Sequence, residues 1–140
     1  LLEGDPVAIQ FASDEWLRAV RNALGRSLSF REAGRNWRVE WVWSVTGGPQ
    51  PIYLFFDLRY GECVEVVRLK SATERASEIT LEGPLAAWQR VLQKKLGLLQ
   101  AITTKELNVT AGQSVKIMGA HRAAQALMDV IGAIETEWPG

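Results

Sequence analysis

The sequence predicts an α+β domain: a mixed five-stranded sheet with helices layered on one face. Three observations predict it. Apolar residues recur at helical spacing near both ends of the chain, and apolar and polar residues alternate along its aromatic middle. A further short alternating stretch, Glu106 to Ala111, stands between two helical ones. One layer of sheet and one of helices is the economical way to bury such faces. No repeat, low-complexity tract or linker divides the chain. Residues 1–10 therefore read as an N-terminal tail and residues 11–138 as a single domain.

The first helix starts at Ser13, a natural cap, with Asp14 and Glu15 favourable near the positive end of the helix dipole. Trp16, Leu17, Val20 and Leu24 form its buried face, and Gly25 is the expected stop. A shorter helix from about Ser29 to Gly34 turns Phe30 and Ala33 inward.

In WRVEWVWSVT, Trp37, Val39, Trp41, Trp43 and Val45 alternate with Arg38, Glu40, Val42 and Ser44, the period of a half-buried strand. Its three tryptophans on one face have two readings. They are a bulky core whose indole nitrogens find partners at its edge, or the lining of an apolar pocket. GGPQP, residues 47–51, is turn chemistry. With Tyr60 and Gly61 as the next turn, Ile52, Leu54, Phe56 and Leu58 face inward and pair with Leu69, Val67, Glu65 and Cys63. That register sets Glu65 opposite Phe56 on the inner face. Either a bulge or longer turn rotates it to solvent, or it is a polar anchor inside a cavity.

SATERAS reads as a polar connection containing about one helical turn. A fourth strand follows, with Ile79 and Leu81 on one face and Glu78, Thr80 and Glu82 on the other. Pro84 suits the first turn of a helix that buries Leu85, Trp88, Val91 and Leu92 and ends at Gly97. Leu98 to Thr103 makes a short apolar turn containing Leu99 and Ile102. The fifth strand, Glu106 to Ala111, carries Leu107 and Val109 inward. The last helix shows one stripe, Ile117, Ala120, Ala124, Leu127, Ile131 and Ile134. It starts near Ser114, or else Val115 to Met118 is a final strand and Gly119 the corner before a later helix. Small residues in its N-terminal half would let it approach the sheet closely.

The chain has 140 residues, with 16 lysines and arginines against 16 aspartates and glutamates. About 68–70% of the unfolded surface can be buried at this size. Charge balance favours neither nucleic acid nor an anionic membrane, and Lys94, Lys95 and Lys105 read as a solvated face allowing at most transient membrane contact. The single cysteine, Cys63, allows no internal disulfide and fits a reducing, cytoplasmic compartment. No apolar run approaches the ~18 residues of a membrane span, and no signal-peptide pattern is present. The chain opens without methionine, so no reading rests on Leu1 to Pro6. Catalytic constellations do not emerge either: His121 is the one histidine and reads as a surface group. No zinc spacing, G-x-S-x-G elbow, phosphate loop or dinucleotide fingerprint occurs. The expectation is no enzyme, no cofactor and no metal. Asn108-Val109-Thr110 matches a glycosylation sequon by chance.

The order of elements in LAAWQRVLQKK, the Ala101-Ile102 turn, the Leu107-x-Val109 strand, Gly112 and a long final helix resembles the C-terminal half of the sterol carrier protein family. The resemblance extends through the ASDEWLRAVRNAL helix and the aromatic strands, from about Phe11 to Ile134, making residues 11–138 a single sterol-carrier-like domain. One departure concerns the corner after the L-x-V strand, where Ala111 and Gly112 replace the family's usual Gly-Asp pair. The resemblance implies layers enclosing an apolar tunnel, bordered by the last helix, for fatty acids, acyl-CoA esters or sterols. Trp41, Trp43, Leu54, Phe56, Val91, Ile102, Met118, Leu127, Met128 and Ile131 would line it. The alternative is an accessory or scaffold domain that binds a protein partner, its cavity filled by side chains.

Overall fold

The computed structural model describes residues 7–139. Helix α1, Asp14–Arg26, is capped by Ser13, whose Oγ accepts from the Trp16 backbone N–H at 3.2 Å. It runs through Gly25, the expected stop. Ser27 ends it instead: its N–H donates to the Leu24 carbonyl, while its Oγ accepts from Phe30 N–H at 3.1 Å and caps α2, Leu28–Ala33. One serine thus closes a helix and opens the next. Phe30 is buried as expected, but Ala33 is exposed.

Five strands follow: β2 Arg38–Thr46, β3 Ile52–Arg59, β4 Glu62–Leu69, β5 Ile79–Pro84 and β6 Asn108–Ala111. Their order is β4-β3-β2-β5-β6, antiparallel except for β2 beside β5, so the sheet is mixed. Trp41, Trp43, Leu54 and Phe56 on its inner face share one buried cluster with residues of the six described helices. The other face carries a smaller cluster, Val42, Phe55 and Leu69.

The register of β3 and β4 corrects one expectation. Leu58 pairs with Cys63, but a shift between Asp57 and Leu58 then sets Asp57 against Glu65 and Phe56 against Val66. The bulge reading is the one realised: Glu65 lies on the outer face, 2.7 Å from Arg75. Arg75 belongs to the connection from β4 to β5, which has turns but no helical turn.

Helix α3, Leu85–Leu92, begins after Pro84 and ends well before Gly97, because the chain turns away through Lys94 at φ +62°. Helix α4, Leu98–Thr103, buries Leu98 and Ala101. Leu99 is exposed and Ile102 half-buried, so its inward face is one residue away from the expected one. After β6, Gly112 sits at φ +81° beneath the Glu78 carbonyl, where any Cβ would collide. That glycine makes the corner that the Ala111-Gly112 pair left open.

The final stripe is two helices, α5 Val115–Met118 and α6 His121–Gly132, neither one continuous helix nor a strand. Ala120 leaves the helical region at φ −123°, ψ 35°. Ala123, Ala124, Leu127, Met128 and Ile131 are the buried face of α6. The close backbone neighbours of α6 are α1 to α5, so its small residues seat it among helices rather than against the sheet. Near the ends, β1, Ile9–Gln10, pairs in parallel with β7, Thr136–Glu137. Residues 1–6 of the expected tail lie outside the described residues.

Candidate functional site

Alternation along β2 stacks indoles on the inner face, and α3 adds another from above. Ring centroids are 5.8 Å apart from Trp37 to Trp41 and 5.7 Å from Trp41 to Trp43. Trp43 then lies 4.7 Å from Trp88, stacked, and 4.4 Å from Phe56. Of the three tryptophans in the predicted strand, the expectation that indole nitrogens find partners at the edge holds for Trp37 alone; Trp88 on α3 is also partnered. Trp37 Nε1–H donates to the Lys116 carbonyl at 3.1 Å, and Trp88 Nε1–H to that of Ser44 at 3.3 Å. Trp41 and Trp43, deeper in, have no partner.

Of the ten residues expected to line a cavity, eight belong to the same buried cluster: Trp41, Trp43, Leu54, Phe56, Val91, Leu127, Met128 and Ile131. Ile102 is half-buried against it. Met118, at the end of α5, is half-buried. The structure therefore brings sheet and helix residues face to face.

Open concavities lie around this core. One of about 470 Å³ sits at the α5–α6 break, lined by Asn36, Trp37, Gly119, Ala120, His121 and Arg122 among others. A second, about 210 Å³, lies between the ends of α3 and α6 and is lined by Leu92, Ile131 and Trp138. Ile131 is the one expected lining residue on either. Trp37, whose pocket-lining reading the sequence offers, borders the first groove, whereas Asn36 and Arg122 carry no such signal in the sequence; Gly119 inside an apolar stripe is the sequence signal for the break. Half-buried against the core cluster, the Cys63 thiol is pushed up to about 11 chiefly by burial. Its groove, about 540 Å³, also carries Arg21, Arg26 and Arg31.

His121 is exposed, its Nδ1 3.3 Å from the Met118 carbonyl. Among the described residues no group of three or more His, Cys, Asp or Glu is placed to hold a metal. Nor is any helix among them long and apolar enough to cross a membrane.

No family model matches the chain, and no curated protein matches its sequence. Solved structures do. The chain is similar to sterol carrier protein 2, with a TM-score of 0.80 and 24% identity over 89% of this chain and 99% of that one. A conserved hypothetical protein of Thermus thermophilus gives 0.82 at 22% identity, over 95% of this chain and 96% of the other. Palmitated SCP2L2 from Aedes aegypti gives 0.57 at 11%, over 81% and 95%. The likeness is one of fold.

Proposed function

We propose that this chain, which has the sterol carrier protein fold, is a non-catalytic cytoplasmic binder of an apolar ligand such as a fatty acid, an acyl-CoA, a sterol or a similar lipid. The observation that carries the reading is the pair of facing apolar walls. Trp41, Trp43, Leu54 and Phe56 stand on the sheet, and Val91, Leu127, Met128 and Ile131 on the helices above. The roof is interrupted at Gly119 and Ala120 beside an open groove. Such a roof can shift where a continuous helix would resist. Each ligand methylene buried between the walls contributes about 0.8 kcal/mol, and Met118 and Met128 adapt to different shapes. The palmitated mosquito structure supports a fatty acid as the first ligand to try.

A second reading, a scaffold domain for a protein partner, has its own support. Trp43 is wedged between Trp88 and Phe56, which fills that part of the interior with side chains. Titration with palmitate separates the two. A saturable change in tryptophan emission, with a palmitate adduct in native mass spectra, is expected. Unchanged emission and no adduct would leave the scaffold reading in its place.

A further inference from the structure

Trp41 and Trp43 are fully buried, and neither indole Nε1–H has a hydrogen-bond partner. Buried donors without partners are rare in folded proteins, and each calls for an explanation. Phenylalanine at either position would give a large apolar ring without the orphaned donor. The edge-to-face contacts of Trp41 with Trp43 and with Trp37, at interplanar angles of 88° and 72°, offer the two indoles no more than weak N–H···π contacts in place of a hydrogen bond. The residues are two apart on β2, so both indoles project from the same side of the sheet.

We propose that Trp41 and Trp43 form a polar subsite within the ligand cavity, donating to a neutral carbonyl oxygen, of a ketone or an ester, carried inside an otherwise apolar ligand. This rests on the lipid-binding reading and narrows it to oxygenated lipids. A carbonyl oxygen has two lone pairs and can accept both donors. A hydroxyl would bring another donor into a region already holding two in excess. A carboxylate would bring a charge, and the buried polar side chains described are Ser44, Asp57 and Thr80, with no cation among them. A charged head is better held at the rim, in the groove of about 470 Å³ that carries His121 and Arg122. Trp37 lines that groove, and its ring is 5.8 Å from that of Trp41. The indole row thus leads from the rim to the orphaned donors.

The test titrates the full chain with stearate and with oxostearates bearing the ketone at successive positions, and follows the indole ¹⁵N–H resonances. At least one oxostearate should bind about tenfold tighter than stearate, the scale of a hydrogen bond gained by an unsatisfied donor. The Trp41 and Trp43 indole signals should move downfield with that ligand and not with stearate. Trp41→Phe and Trp43→Phe should each bring the affinity ratio toward one. If either fails to fold, the wild-type ratio and the indole shifts decide alone. Equal affinity for stearate and every oxostearate, with both indole signals unmoved, overturns the proposal and leaves lipid binding intact. Binding of neither ligand overturns the reading beneath it.

Discussion

The guanidinium of Arg75 lies 4.4 Å from the centre of the Phe55 ring, on the sheet face away from the helices. Its two terminal nitrogens also reach the two Glu65 carboxylate oxygens, at 2.7 and 3.2 Å. One side chain therefore pins the β4–β5 connection over the smaller buried cluster. Partial exposure keeps the ion pair itself weak, so cover of Phe55 should dominate. Arg75→Ala is expected to lower the melting temperature, and Arg75→Lys to fall between it and the wild type. Equal melting temperatures for all three would show that the connection needs no pin.

The same contact makes a pH prediction. The hydrogen bond from Arg75 holds the Glu65 carboxyl below its ordinary range; burial opposes it, and the charge of Arg75 adds to the lowering. A depressed folded value means that the stabilisation is complete above the free-glutamate range and is lost as pH falls through the lower folded value. The gap in melting temperature between wild type and Glu65→Gln should be constant near neutrality and shrink on acidification. A gap that does not change down to the acid limit of folding would contradict this.

Gly132 in α6 lies so close to Leu92 at the end of α3 that a Cβ would collide with the Leu92 carbonyl oxygen. A backbone atom cannot swing aside as a side chain would. Gly132→Ala should cost about 1–3 kcal/mol, the usual range for forced overpacking. Gly25 is the control, since a Cβ there meets nothing within 4 Å and the residue lies inside α1. Gly25→Ala should stabilise by about 0.5–1 kcal/mol. Urea denaturation of both variants checks the opposite signs.

Much of this architecture is written in periodicity. The alternation of Trp37 to Val45 fixes the inner face of β2, because a one-residue slip would expose every indole. Glu65 could not be placed the same way, since a bulge leaves no mark in a period-two pattern. The break at Ala120 was equally hidden: Ile117 and Ala124 keep helical spacing across it, and only Gly119 hinted at a bend. Gly25 misled for a physical reason. A glycine ends a helix where a left-handed turn is needed, and here Ser27 supplies the stop by capping its neighbour. Among the site residues, identity as apolar and inward was legible, whereas which indoles find partners depends on carbonyls far away in sequence, such as Lys116 for Trp37.

Cys63 faces inward at the β4 end of the sheet, and its thiol is pushed up to about 11, chiefly by burial, with Arg21 opposing and Asp57 adding to the shift. Alkylation should therefore be slow at neutral pH in the folded protein and accelerate as pH approaches that value. Unfolding in urea should restore the midpoint to about 8.5, that of a free thiol. Because the fold favours the neutral thiol, its contribution to stability is whole below the unfolded midpoint and declines above it. Fast alkylation of the folded protein at pH 7 would show that the thiol is not shielded.

Leu127 is fully buried at the centre of α6 and shares its cluster with Trp41, Trp43 and Phe56 on the sheet. Leu127→Trp enlarges one wall at the expense of whatever space the layers can open. If guest and indole compete for that space, the variant should keep a cooperative unfolding transition while palmitate affinity falls by tenfold or more. Leu127→Ala acts in the other sense. In a core closed by its own side chains it should cost about 2–5 kcal/mol through the cavity left behind, and bound palmitate should recover part of that loss by filling it. Melting curves with and without palmitate, run on both variants, read the two effects together. A palmitate affinity unchanged in Leu127→Trp would remove α6 from the site, and the sheet indoles would then need a different roof.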